Sequence, residues 1–350
     1  MRTLTCERCG VRVFFENVVC ENCGAQLGFV PDELVMGAFE IGQQGWVRVT
    51  DRPAMKPCDN YVSLQVCNWM LPAEADQQLC ASCRTTHIVP ALSKPENLGY
   101  WLAIEQAKRR LFYSLLSMQL PVADKATDPE AGVSFQFLEE LSPGQKILTG
   151  HDSGVITLNI AEADDARREK ARSRLHEPYR TLLGHFRHEI GHYYWDRLIA
   201  TSSCLDAFRE LFGDERADYA AALEAHYANP QVDWAQEFVS SYASSHPWED
   251  WAECWAHYMH LQDGLETAAA WGVQLQNAMP GAPAVQPSAL VLQAGSIEKS
   301  VVEDWLPVAQ FVNAMSRSLG SHDSYPFVIS APVIRKLDFI HDLVAAARHA

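Results

Sequence analysis

Hydrophobic and polar residues follow different patterns in the two parts of the chain. Before residue 95, apolar runs such as "VRVFF" and "GWVRVT" are short and separated by turn residues, which predicts short strands. After that point, apolar residues recur three and four positions apart over long segments, which is the period of an amphipathic helix. The pattern predicts an α+β protein, in which a small β-rich module precedes a mostly helical domain with a small edge sheet.

Five segments carry the helical period most clearly. The first is "YWLAIEQAKRRLFYSLLSMQL". A second begins near Pro178, because proline is tolerated in a first turn, and runs through "YRTLLGHFRHEIGHYYWDRLIA". The others are "DERADYAAALEAHYA", the segment after Pro247, and "VIRKLDFIHDLVAAAR". We also expect strands at "VSFQFLEEL" and "SGVITLNI", and a Pro/Ala-rich loop at residues 278–289.

The charge and the apolar runs exclude some classes of partner. The formal net charge is −16, so we expect neither nucleic acid nor an anionic membrane surface as a default partner. No run approaches the roughly 18 apolar residues of a membrane helix, and the start of the chain does not resemble a signal peptide. These features predict a cytoplasmic protein. Its ten cysteines are then expected to be metal ligands before disulfides.

Four early cysteines have the spacing of a structural zinc site. The pattern is C-x2-C-x10-C-x2-C, and each C-x2-C turn directs two thiolates at one point, which together suit tetrahedral Zn²⁺. A redox dithiol is the alternative use of C-x-x-C, but two copies this close favour zinc. Glycine follows each turn, where the backbone must be open. The predicted ligands are Cys6, Cys9, Cys20 and Cys23.

A second set of cysteines predicts a second structural zinc. Its first half is the looser C-x8-C and its second half is the regular "CASC". Buried free thiols with one redox pair are the alternative. Closed sites with four cysteines do not catalyse; they stabilise a small domain by roughly 10–16 kcal/mol of metal binding. We expect a zinc ribbon at 1–35, a second cysteine-rich segment at 36–95 and a mostly helical domain at 96–350, with Cys58, Cys67, Cys80 and Cys83 as the ligands of the second zinc.

The segment "HFRHEIGHYY" contains a third candidate metal site. His188 and His192 are four residues apart and therefore on one face of the predicted helix. In such sites zinc lowers the pKa of its water to about 7, and a glutamate such as Glu189 accepts the proton during attack on a carbonyl. The alternative is a chance match in a chain with 13 histidines. Gly191 costs about 1 kcal/mol inside a helix, which is understandable if another segment passes close by.

A third metal ligand must come from a later part of the chain. The segment "HPWEDWAECWAHYMH" offers Glu249, Asp250 and Glu253, and the two glutamates share a helix face. Carboxylates on the inward side of a tryptophan-rich helix are costly unless they are paired or bound to metal. A solvated acidic stripe is one alternative. The other is a histidine ligand, His246 or His257.

These residues resemble the gluzincin class of zinc peptidases, in which a glutamate on a later helix follows the His-Glu-x-x-His helix. In the lethal-factor-like branch, a tyrosine precedes that glutamate by seven residues and a second glutamate follows it by four. Tyr242, Glu249 and Glu253 stand at these intervals. The resemblance implies Glu249 as the ligand and Glu253 as the residue that holds a ligand histidine through its ring N–H. It implies Tyr242 as the oxyanion-stabilising hydroxyl, with an ordinary buried tyrosine as the alternative.

Over nearly all 350 residues, the chain also resembles a bacterial family of zinc-binding metallopeptidases with an N-terminal zinc ribbon. The matching segments are "CNWM", "TGHDSGVITLNIAEADD", "YRTLLGHFRHEIGHYYWDRLI", "HPWEDWAECWAHY" and "YPFVIS". In gluzincins, a strand before the motif helix lines the cleft and pairs with extended peptide, which is an established binding mode. The segment "GVITLNI" stands where that strand is expected.

The leading hypothesis is therefore a zinc-dependent peptidase with one catalytic and two structural zinc ions. Its substrate is a peptide or protein, and its zinc ribbons could contact a protein partner. One alternative is a non-catalytic binding or scaffold protein that uses the ribbons. Another is a protease acting on nucleic-acid-associated proteins, although the ribbon segment has only scattered Lys and Arg.

Overall fold

The computed structural model describes residues 1–43, 45–140, 142, 144–175, 177–276, 284–288 and 296–348. It confirms the α+β class: helices dominate, and small sheets accompany them. The chain divides into two compact units, Arg2–Arg168 and Glu169–Ala350 with Met1. The expected Pro/Ala-rich loop at 278–289 falls largely outside the described residues. Within them, no helix is both long and apolar enough to cross a membrane.

Short antiparallel strands build the beginning of the first unit. A two-stranded pair, β1–β2, is followed by the three-stranded sheet β3–β4–β5 and the pair β6–β7. The rings of Phe15, Phe29 and Trp69 pack against one another in the core of this region. The elements are β1 (Leu4–Thr5), β2 (Arg12–Val13), β3 (Gln26–Val30), β4 (Val35–Gly42), β5 (Gly45–Arg48), β6 (Met55–Pro57), α1 (Asp59–Val62) and β7 (Met70–Pro72).

A long helix and a four-stranded sheet complete the first unit. The sheet order is β10–β11–β9–β8, with β11 antiparallel to β10 and parallel to β9. The segment "GVITLNI", expected to pair with substrate, contains β11. Because β11 has a strand on each side at residues 155–157, these three residues have no free edge for a peptide. The elements are β8 (Thr86–Ile88), α2 (Pro95–Ser117), β9 (Ser134–Leu138), β10 (Gly150–Asp152) and β11 (Val155–Asn159).

The second unit is helical in its described residues. Helix α3 crosses the boundary between the units, and α7 packs against α4, α5 and α9. A π-helical turn, Ser300–Trp305, leads into α8. The helices are α3 (Asp165–Leu175), α4 (Leu182–Leu198), α5 (Leu205–Phe212), α6 (Tyr219–Ala228), α7 (Pro247–Ala270), α8 (Leu306–Ser318) and α9 (Ala331–Ala347).

Helix α4 begins four residues later than the sequence predicts. The Thr181 side chain accepts a hydrogen bond from the backbone N–H of Gly184 at 2.9 Å, which caps the helix at that point. The proline side chain of Pro178 has no oxygen that could accept a hydrogen bond from a backbone N–H at the start of a helix. The Thr181 hydroxyl has one, so the first turn starts after Thr181. This start leaves His188 in the second turn of the helix.

Helices α4 and α7 approach each other closely at Gly191. A Cβ added there would lie 3.1 Å from Ala252 Cα and 3.1 Å from Trp255 Cβ. The indole N–H of Trp251 also donates to the Gly191 carbonyl at 2.8 Å. The expected reason for this helical glycine is thus confirmed: a neighbouring helix occupies the space of a side chain. The contact fixes the distance between the histidines of α4 and the glutamates of α7.

Candidate metal centre

Two helices supply the polar residues of the centre. In α4, His188 and His192 are separated by one turn and lie on the same face, with their ring centroids 5.0 Å apart. Glu249 lies in the first turn of α7, and Glu253 lies one turn further along. Because Gly191 has no side chain, the two helices can approach each other closely, and the histidines of one helix face the glutamates of the other.

One atom from each of three residues converges on a single point. His188 Nε2 lies 3.0 Å from Glu249 Oε2, and His192 Nε2 lies 3.6 Å from the same oxygen. All three donor atoms fall within 4.8 Å of one another. Glu249 Oε2 is buried, yet no hydrogen bond of acceptable geometry reaches it from the described residues. Two imidazoles and a carboxylate form a donor set that Zn²⁺ accepts, so these residues fit a metal ion.

A second carboxylate orients one of the histidines. Glu253 Oε1 lies 2.8 Å from His188 Nδ1, the ring nitrogen that faces away from Glu249. The Ser240 hydroxyl donates to the other Glu253 oxygen at 2.6 Å. A carboxylate on the far nitrogen fixes the tautomer of a ligand histidine and increases its basicity. Ser240 was not predicted, because no feature of the sequence around it indicates this contact.

Glu189 lies beside these residues, but none of the described residues forms a hydrogen bond or an ion pair with its carboxylate. Its exposed fraction is 6%, and its carboxylate takes part in no hydrogen bond or ion pair with the described residues. Burial raises the pKa of Glu189, although the nearby His188 and His192 partly oppose the shift. A buried carboxylate with a raised pKa and no competing donor can accept a proton from a small molecule beside it.

The electrostatics of the centre favour a bound cation. Burial raises the pKa of Glu249, but the imidazoles of His188 and His192 hold it well below its usual value. Burial lowers the pKa of His188, and the carboxylates of Glu249 and Glu253 more than reverse this effect. No Lys or Arg pairs with Glu189, Glu249 or Glu253 among the described residues. Two buried carboxylates and a third that is 20% exposed are costly without a Lys or Arg, and a divalent cation would offset this cost.

Two tyrosines lie near the centre, and only one was predicted. The Tyr242 ring centroid is 5.9 Å from that of His188, and burial raises the pKa of Tyr242, so its hydroxyl stays protonated. The Tyr219 hydroxyl donates to Glu249 Oε1 at 2.6 Å. Tyr219 precedes Glu249 by thirty residues, and no spacing rule connects the two, so sequence reasoning had no signal for it.

The other candidates on α7 are engaged elsewhere. His246 Nδ1 accepts from the Trp248 backbone N–H at 3.1 Å and caps the helix. His257 Nδ1 lies 2.6 Å from the hydroxyl of Tyr325. Asp250 is fully buried and forms an ion pair of 2.6 Å with Lys336. None of the three belongs to the group of donor atoms around Glu249.

The first four cysteines also converge. Cys6 Sγ lies 3.7 Å from Cys23 Sγ, and Cys9 Sγ lies 3.6 Å from Cys20 Sγ. The two turns repeat one geometry: each glycine N–H donates to the carbonyl of the first cysteine at 2.8 Å, and each glycine has a positive φ of about 70°. These glycines are Gly10 and Gly24. Burial raises the pKa of Cys6 to about 12, whereas hydrogen bonding, first with the Asn22 side chain, lowers the pKa of Cys9 to about 6. Four thiolates within 4.8 Å of one another would repel, and a bound cation would offset this repulsion.

The second set of cysteines forms a fully buried group. The sulfurs of Cys67 and Cys80 lie 3.8 Å apart, and those of Cys58 and Cys83 fall within the same 4.8 Å limit. Backbone N–H groups point at three of the four sulfurs, those of Cys58, Cys67 and Cys80. N–H donors of this kind stabilise thiolates. Because all four sulfurs lie within 4.8 Å of one another, the irregular C-x8-C half belongs to the same cluster as the regular half. Both sets fit a tetrahedral zinc.

Comparison with known proteins gives the class of this chain. A family model described as "Putative zinc-binding metallo-peptidase" matches residues 97–343, and one described as "zinc-ribbon domain" matches residues 3–94. The chain therefore belongs to this family of zinc-binding metallopeptidases and carries an N-terminal zinc-ribbon domain.

Close relatives occur in mycobacteria. Uncharacterized proteins of Mycobacterium tuberculosis (Rv2568c) and Mycobacterium bovis (Mb2598c) are each 43% identical to the chain over 346 residues. These residues are 98% of this chain and 95% of each relative, so the similarity includes both the cysteine clusters and the histidine helix. No solved structure matches the chain significantly.

Proposed function

We propose that the protein is a zinc-dependent peptidase of the gluzincin type, with a peptide or protein as its substrate. The observation that carries the proposal is the convergence of His188 Nε2, His192 Nε2 and Glu249 Oε2 beside the buried carboxylate of Glu189, which has no hydrogen-bond partner among the described residues. The three converging residues would hold the catalytic zinc. When bound, zinc would supply the Lewis acid that activates water for attack on a peptide carbonyl.

Glu189 is the proposed general base. Its carboxylate takes a proton from the attacking water and returns it to the leaving amine. Burial supports this role, because it raises the pKa of Glu189 toward the range in which a carboxylate exchanges protons readily. Since no donor among the described residues occupies its oxygens, Glu189 can turn toward the water without first breaking a hydrogen bond to them.

Tyr242 and Glu253 have supporting roles in the proposal. Glu253 holds the His188 ring through Nδ1, so that Nε2 presents its lone pair to the metal. Tyr242 donates its hydroxyl hydrogen to the oxyanion that forms on the substrate carbonyl. Its ring lies beside His188, and its raised pKa keeps the proton available at neutral pH.

Two further zinc ions are proposed for the cysteine clusters, where they stabilise the fold. Each cluster draws its ligands from one of the predicted segments, 1–35 or 36–95, and the peptidase domain is assigned to 96–350. We propose the zinc ribbons as the surface that contacts a protein partner. The absence of disulfides among the described cysteines agrees with the proposed cytoplasmic location.

The decisive experiment replaces Glu189 by glutamine, which keeps the shape of the side chain and removes the base. Glu189→Gln should fold and bind three zinc ions, but hydrolyse peptides roughly 10²–10⁴-fold more slowly. Wild type and variant are incubated with a proteome digest, and new peptide termini are compared by mass spectrometry. Glu210→Gln, at an exposed glutamate of α5, is the matched control and should cut like wild type.

The result that contradicts the proposal is also defined. If wild type and Glu189→Gln produce identical termini under zinc-replete conditions, the centre binds metal without performing this chemistry. The non-catalytic binding or scaffold protein would then be the better description.

A further inference from the structure

The two oxygens of Glu249 have different surroundings. Oε2 faces His188 and His192, whereas Oε1 accepts the hydrogen bond from the Tyr219 hydroxyl at 2.6 Å. The side chain of Glu249 is only 2% exposed, so water cannot easily take the place of that hydroxyl. Tyr219 therefore determines which way the carboxylate faces.

We propose that Tyr219 is a positioning residue of the metal centre, which binds Glu249 Oε1 and so presents Oε2 alone to the metal ion. This inference rests on the proposed function, because it needs Glu249 as a ligand. It adds a residue on α6 that supports the metal-binding atoms of α4 and α7.

Two hydrogen bonds hold the backbone beside Tyr219. The Asp218 side chain accepts from the Ala221 N–H at 3.0 Å and caps α6. Just before it, the Ala217 carbonyl lies 3.1 Å from His246 Nε2. Since His246 Nδ1 accepts the N–H of Trp248, the ring proton must be on Nε2, which donates it to Ala217. His246, the N-cap residue of α7, thus forms a hydrogen bond to the chain just before α6 and holds the start of α6 next to Glu249.

The ring of Tyr219 is also supported, although α6 itself has no buried residue. Its centroid lies 5.2 Å from that of His246 and 6.2 Å from that of Trp248. A fixed hydroxyl facing a buried carboxylate is what a supporting hydrogen bond to a metal ligand requires.

The effect on metal binding follows from the geometry. Without the hydroxyl, the Glu249 carboxylate can rotate or offer both oxygens to the ion, and the geometry that suits zinc is less populated. Loss of such a supporting contact typically weakens metal binding about 10–100-fold.

The test compares Tyr219→Phe with Tyr227→Phe. Both residues are on α6, but Tyr227 is 64% exposed and, within the part of the chain that the structure describes, forms no hydrogen bond with Glu249. The affinity of the chelator-removable zinc is measured by competition with a chelator of known affinity, and folding is checked by circular dichroism. Tyr219→Phe should fold and bind this zinc about 10–100-fold more weakly, whereas Tyr227→Phe should match wild type.

The outcomes separate this inference from the proposed function. Wild-type zinc affinity in Tyr219→Phe would overturn the positioning role, while loss of the same zinc in His188→Ala would leave the proposed centre intact. Slower hydrolysis with unchanged zinc affinity would also overturn it, since Tyr219 would then act on the substrate. A lowered melting temperature with unchanged zinc affinity would reduce Tyr219 to a packing role and overturn it too.

Discussion

Glu253 and His188 meet through Oε1 and Nδ1 at 2.8 Å, while the other nitrogen of the same ring lies 3.0 Å from Glu249 Oε2. In a zinc-bound centre, the proton on Nδ1 would serve the contact with Glu253, and the lone pair on Nε2 would be left for the metal. Two glutamates four residues apart on one helix thus face opposite nitrogens of one histidine. Their mutations should have different consequences.

Glu249→Ala should lose the removable zinc, because it deletes one of three donor groups. Glu253→Ala should retain this zinc with an affinity about 10–100-fold lower, since it removes only the support of the His188 ring. Zinc content and affinity, measured by mass spectrometry and chelator competition, test the ranking. If Glu253→Ala lost the zinc and Glu249→Ala kept it, the assignment of ligand and supporting residue would be reversed.

Zinc stoichiometry provides a second prediction. The purified protein should contain three zinc ions, of which mild chelation removes one, because the two cysteine-bound ions are held by closed sets of four thiolates. His188→Ala should contain two. His322→Ala, at an exposed histidine of the same unit, is the control and should contain three. A wild-type protein with two zinc ions, unchanged in His188→Ala, would rule out a catalytic metal at this centre.

Gly191→Ala should destabilise the protein by up to about 2 kcal/mol. The added methyl group gains about 1 kcal/mol of helix propensity, but it meets Ala252 Cα and Trp255 Cβ at 3.1 Å, and overpacking of this kind costs about 1–3 kcal/mol. The backbone and a buried tryptophan cannot move aside cheaply. The free energy of unfolding in urea is the measurement.

Gly99→Ala is the matched control, because Gly99 is also helical and a Cβ there meets nothing within 4 Å. It should leave stability unchanged or raise it by up to about 1 kcal/mol. Equal effects at Gly99 and Gly191 would mean that the close approach of α7 does not explain the glycine in the motif.

Local spacing explains why much of this protein could be predicted from its sequence. The period of 3.6 residues per turn is sufficient to place His188 and His192 on one face, and also Glu249 and Glu253. A C-x-x-C turn brings two sulfurs together whatever surrounds it, so the cysteine pairs were recognisable. Helix starts were less predictable: α4 begins after the Thr181 cap and not near Pro178, because capping depends on a side-chain contact.

Contacts between distant segments were decided only by the tertiary structure. The sequence by itself determined the residue types and their positions along each helix, because those depend on local geometry. It did not determine that β11 lies between β10 and β9, which leaves residues 155–157 without a free edge for a peptide. Nor did it indicate that Tyr219 reaches Glu249 or that Ser240 reaches Glu253. Such contacts depend on how whole elements pack, and packing is set by the combined burial of many residues far apart in the chain.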